Sequence, residues 1–165
     1  MADEDAIAEH IPDGDKLSRA CFIIPDSIDS ESAFKFERDR QGNRVESVFW
    51  RKYAPTASDL HKRGCELERQ KNLRLRVQGK SLKKYSGIRT ATAGPIRKIK
   101  SERGFQFHIL HAPESDDRSH AHIGIEPPPG SSGTQLKPND MRELVSSLAR
   151  EFNIFDAHDC DVKVP

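Results

Sequence analysis

The 165-residue chain lacks an apolar run long enough to cross a bilayer as a helix, which takes about 20 residues. Its opening, MADEDAIAEHIPDGD, is acidic and has no apolar centre, which speaks against a secretory signal. Cysteine is scarce: Cys21, Cys65 and Cys160 are odd in number and far apart. The expectation is reduced thiols in the cytoplasm rather than a disulfide framework. Aromatics make up 7% of the chain, with a single Trp. The common spacings of catalytic motifs are missing too. There is no H-E-x-x-H, no C-x-x-C and no paired H-x-T. Gly79-Lys80-Ser81 resembles the end of a phosphate loop, but Arg74 stands where that loop needs its first Gly. There are no internal repeats.

What is present is charge, at 32% of residues, against 35% hydrophobic. That is polar for a globular chain but short of the disordered extreme, and the length suffices for one domain with a real core. The net charge of +1 conceals segregation, because Lys62 to Arg103 holds fourteen Lys or Arg against three acids. Such a block suits nucleic-acid phosphates or an acidic protein face. The candidate contacts are Lys80, Lys83, Lys84, Arg89, Arg97, Lys98 and Lys100. The bland alternative is a solvated face balanced by the acidic flanks. Tyr85 is the one aromatic in the block, too few for a stacking platform under a single strand.

The most informative stretch is FQFHILHAPESDDRSHAHIGI, residues 105–125, with four of the seven histidines. Phe105, Phe107, Ile109 and His111 alternate with Gln106, His108 and Leu110. Ala121, Ile123 and Ile125 alternate with His120 and His122. Period-two alternation predicts two half-buried strands joined by the polar loop APESDDRS. In a hairpin, His108, His120 and His122 converge on one surface, with Asp116 and Asp117 in reach. Convergent imidazoles and carboxylates are what a zinc or manganese site uses, and one imidazole can serve as a general base. The candidate catalytic residues are therefore His108, His120, His122 and Asp117, with His120 and His122 as metal ligands. No motif requires a cofactor, and the histidines serve equally well as strand-surface or loop-capping residues.

Along the chain, residues 1–16 read as an acidic flexible lead and 17–165 as one domain. Leu17–Ile24 predicts a buried strand. Phe34 to Tyr53 predicts a hairpin turning at DRQGN, its second strand central and Trp50 in the core. Thr56 or Ser58 caps a surface helix over about Asp59–Lys71. Cys65 lies one turn from His61 on it, so a thiol nucleophile is conceivable, though a plain structural thiol is the simpler reading. Leu73–Val77 alternates and predicts a strand, Ile88–Ala93 another, with basic loops after each. EPPPGSSGTQLKP reads as a linker. Pro138 opens an amphipathic helix with Met141, Leu144, Val145, Leu148 and Phe152 on one face. His158, Asp159, Cys160 and Asp161 in the tail could ligate a metal, on weak spacing. The expected fold is α+β: a single domain with a mainly antiparallel sheet of about five to six strands, packed by the C-terminal helix and one further surface helix.

Several residues together resemble a family of uncharacterised small bacterial proteins. They are Ile11-Pro12-Asp13-Gly14-Asp15-Lys16-Leu17-Ser18-Arg19, Ser47-Val48-Phe49-Trp50, His111-Ala112-Pro113, Asp117-Arg118-Ser119-His120-Ala121-His122-Ile123 and the final helix around Glu143–Phe152. The resemblance implies no known reaction, but an accessory part of a multi-gene system of the conflict or antiviral defence type. The long basic middle departs from that pattern. The leading expectation is thus a non-enzymatic accessory protein that binds a protein partner, with no membrane role. The alternatives are a metal-dependent hydrolase or nuclease built on the 108–122 histidines, and a nucleic-acid-binding module built on the basic segment 62–103.

Overall fold

A computed structural model describes residues 7–25, 34–38 and 43–161. The expected turn at DRQGN lies mostly outside the described residues. The described strands form one antiparallel sheet. In chain order these are β1 (Lys16–Ile23), β2 (Glu37–Arg38), β3 (Arg44–Trp50), β4 (Lys84–Thr92), β5 (Gln106–His111), β6 (His120–Glu126) and β7 (Ile154–Ala157). The order across the sheet is β5-β6-β3-β1-β4-β7, with β2 pairing β3. The helices are α1 (Ala57–Val77), α2 (Ala93–Arg97) and α3 (Pro138–Glu151). The architecture is α+β, as expected.

The two faces of the sheet carry separate cores. On one, Leu17, Val48, Trp50, Phe107, Ile109, Ala121 and Ile123 alternate inward and meet Ile96 of α2 and Leu144, Leu148 and Phe152 at α3. This is the amphipathic packing that the α3 stripe predicts. Asp140 fastens the start of α3, since its carboxylate accepts the Lys137 N–H at 3.0 Å and pairs with Arg103 at 2.6 Å. On the other face Phe22, Tyr85 and Ile88 meet Leu60 of α1. Thr56 caps α1 by accepting the Asp59 N–H at 3.3 Å.

Several expectations need correction. Leu73–Val77 is not a strand but the last turns of α1. Leu and Arg are strong helix formers, and nothing after Lys71 stops the helix until Gly79, at φ 65°, takes the left-handed position after its end. Leu-Arg alternation makes a strand only where a neighbour accepts its backbone, and here Leu73 is 60% and Val77 89% exposed. The basic GPIRKIK segment is not wholly loop, since α2 occupies its first half. The tail supplies a strand, β7, on the edge of β4. Finally, the thiols are not all free: Cys65 and Cys160 form a disulfide with a Cα–Cα distance of 5.6 Å, while Cys21 is buried. The pair is 95 residues apart in sequence and adjacent only once β7 has brought the tail beside α1.

The acidic lead is also packed down where it is described, over residues 7–15. Ile11 is 1% exposed, and the Asp15 carboxylate accepts the Trp50 indole N–H at 2.8 Å. Burial of Ile11 and the Asp15–Trp50 hydrogen bond are contacts that offset part of the ordering cost, which a purely acidic lead could not do.

Candidate functional site

The β5–β6 hairpin forms as its alternation predicts, with Ile109 opposite Ile123 and Leu110 opposite His122. His108, His120 and His122 therefore share the face that carries α1. That helix lies over β4 and β1, and among the described residues no helix covers β5 and β6 on this side. A groove of about 860 Å³ is left between α1 and the open half of the sheet. His120 and His122 line it with Ser47, Phe49 and Val45 of β3, and Arg63, Leu67 and Lys71 of α1 form the opposite wall.

The histidines do not act as one set. The His120 and His122 rings meet edge to face, 4.7 Å between centroids. His108 lies over Gly124, its strand partner, and does not line the groove. Burial holds its imidazole below the ordinary histidine value, partly offset by Glu126. His111, on the core face, accepts the Glu9 N–H at Nδ1 and bonds the Arg118 carbonyl through Nε2 at 2.7 Å, so it ties the lead to the hairpin loop. Asp117 is 8% exposed and already engaged. It accepts the Ser119 N–H at 2.9 Å and O–H at 2.6 Å, and pairs with Arg63 at 2.5 Å. It shapes the hairpin loop and anchors α1 to it.

His120 has a defined tautomer. Its Nδ1 lies 2.8 Å from the Ala112 carbonyl, which can only accept, so Nδ1 carries the proton. In the neutral ring Nε2 is then the acceptor for the Ser47 hydroxyl at 3.2 Å. Glu114 stands 3.6 Å from Nδ1. A hydroxyl, an acceptor imidazole and a group orienting that imidazole are the parts of an activated serine. Ser47 escaped notice in the sequence because only the β3–β6 register, Ser47 opposite His122, puts it there.

The groove is electrically polarised along α1. At the Trp50 end of β3 stand Glu114 and Asp116, both exposed. At the other end the cations Arg38, Lys71 and Lys83 outnumber the acids Glu37 and Glu46, which lie close enough to act on Lys71. Burial above all, then repulsion from Lys83 and Arg74, pushes Lys71 below the usual lysine value. Its ammonium sits 4.9 Å over the Phe22 ring.

The basic residues singled out in the sequence do not form one patch. Lys80, Lys83 and Lys84 lie where α1 gives way to β4, and Arg97, Lys98 and Lys100 lie beyond its far end, about 27 Å of strand away. Several are engaged: Lys84 with Asp159 at 3.4 Å, Arg97 with Asp13 at 2.6 Å, and Arg89 over the Phe155 ring at 4.7 Å.

No helix among the described residues is long and apolar enough to cross a membrane. Compared with known protein families, curated proteins and solved structures, the chain matches none.

Proposed function

We propose that the chain is a non-enzymatic accessory protein of a bacterial multi-component system, of the defence type its sequence resemblance implies, and that its groove holds a short extended segment of a protein partner. The observation that supports this is the charge polarity of the groove. Arg63 and Lys71 are eight positions apart on α1, about 12 Å of helix, which matches roughly four residues of extended chain. Lys71 is half buried and repelled by Lys83 and Arg74, which Glu37 and Glu46 offset only in part, so a partner carboxylate there adds a favourable contact to a disfavoured charge. The opposite end, with Glu114 and Asp116, suits a Lys or Arg. Phe49 and Leu67 between them offer apolar contact. The setting proposed with it is the cytoplasm, a reducing compartment in which the Cys65–Cys160 disulfide opens to two thiols.

The test is selection from a peptide library on the purified chain. Peptides with an acidic residue about four positions from a basic one are expected, losing at least tenfold in affinity to the Lys71→Glu/Lys83→Glu variant. Selected peptides with no such polarity, or unchanged binding by that variant, would refute the proposal.

A second reading rests on the Ser47–His120 hydrogen bond: a hydrolase in which His120 is the base and Ser47 the nucleophile. It predicts ester turnover abolished by both Ser47→Ala and His120→Ala. Turnover unaffected by either variant would end it. Nucleic-acid binding has less support, because six of the seven candidate cations are split between the two ends of β4, Arg89 sits mid-strand against Phe155, and several are engaged.

A further inference from the structure

Away from the groove, among the described residues, a further set of metal-ligating side chains is drawn together. Cys65, His158 and Cys160 place one ligand atom each within 4.8 Å of one another, and all three are half buried. We propose that these three residues form a zinc site when the Cys65–Cys160 disulfide is reduced.

The fold builds this site from two distant segments. α1 supplies Cys65, one turn after His61. The tail supplies His158 and Cys160, and it is positioned by β7, whose Ala157 pairs with Gly87 of β4. The His158 N–H then donates to the Ser86 carbonyl at 2.9 Å, which fixes where its imidazole starts. The ring stacks on His61, 4.3 Å between centroids and 10° from parallel. A disulfide by itself needs no imidazole, whereas two thiolates and an imidazole are a zinc donor set. Soft sulfur also favours zinc over manganese.

The dimensions fit. Tetrahedral zinc with Zn–S near 2.3 Å holds its sulfurs about 3.8 Å apart. Cysteines with Cα atoms 5.6 Å apart reach either a bonded pair or that separation by rotation about their Cα–Cβ bonds. Three protein ligands leave a fourth position for water on the solvent side. His61 is a positioning residue: its Nδ1 is engaged with the Tyr85 hydroxyl at 2.9 Å and its ring supports His158.

The disulfide is then the oxidised, metal-free state of the same residues. Two zinc-bound thiolates give up two electrons and join as the Cys65–Cys160 bond. A small disulfide such as oxidised glutathione takes those electrons with two protons and becomes two thiols, and the zinc ion leaves.

The test uses the full chain, reduced with a phosphine and exchanged anaerobically into zinc or cobalt. One metal ion per chain is expected by elemental analysis, with a thiolate-to-cobalt charge-transfer band. The oxidised chain is expected to bind none. His158→Ala, checked for folding by circular dichroism, is expected to lose at least about tenfold in metal affinity. His10→Ala, at an exposed position in the lead, is expected to bind as the wild type does. A reduced chain that takes up no metal overturns the proposal, as does a folded His158→Ala variant that binds as tightly as wild type.

Discussion

Replacing Gly64 by Ala tests whether α1 is seated as described. In an exposed helix the change stabilises by about 0.5–1 kcal/mol, because glycine loses more backbone freedom on folding. Here the new Cβ overlaps the Tyr85 ring, 2.7 Å from Cε1 and closer still to two other ring carbons. Tyr85 is fully buried and cannot retreat. Phe22 and His61 flank it at 5.8 and 6.0 Å, and His61 Nδ1 holds its hydroxyl at 2.9 Å. Overpacking of this kind costs about 1–3 kcal/mol, and a strained or broken hydrogen bond about 1 more. Subtracting the propensity gain leaves a net loss of about 1–3 kcal/mol. Urea denaturation should show it as a lower midpoint at unchanged slope. Tyr85→Leu in the same chain should recover part of the loss, so that the two changes are non-additive. A Gly64→Ala protein as stable as wild type would refute this seating of α1. The seating matters for function because α1 is one wall of the groove, and a lifted helix should weaken peptide binding under conditions where the variant is still folded.

Other outcomes follow from single contacts. Thr56→Ala removes the cap of α1 and should cost about 1 kcal/mol, with Thr56→Ser restoring most of it. Leu148→Ala, at a fully buried position between α3 and the sheet, should cost about 2–5 kcal/mol by thermal or urea unfolding. Burial lowers the His108 value in the folded chain, so the unfolded chain takes the proton first as pH falls. Stability from this group is therefore complete above about pH 6.5 and declines as pH drops through the folded value. His108→Gln should flatten the dependence of the urea midpoint between pH 7.5 and 5.5, and an unchanged slope would count against a buried neutral imidazole.

Where side chains alternate and both strands are local, the sequence was a sound guide. Residues 105–125 become β5 and β6 with the faces read correctly, and the stripe from Met141 to Phe152 becomes the packed side of α3. Leu73–Val77 misled because alternation is a pattern of side chains, while a strand also needs a neighbour to take its hydrogen bonds, and α1 could simply continue. β7 gave no comparable signal: its four residues are exposed, and its place is set by pairing with β4.

The sequence by itself determined the α+β class, the hairpin of histidines and the amphipathic last helix, because each follows from a local periodicity of side chains against a core. Only the tertiary structure decided which histidines share a site and with what. Sheet order brought Ser47 of β3 beside His120 and left His108 out of the groove. It also set Lys80, Lys83 and Lys84 apart from Arg97, Lys98 and Lys100 by the length of β4 and brought Cys65 to His158 and Cys160. These juxtapositions depend on strand pairing between segments remote in sequence, and no short-range pattern of residues encodes them.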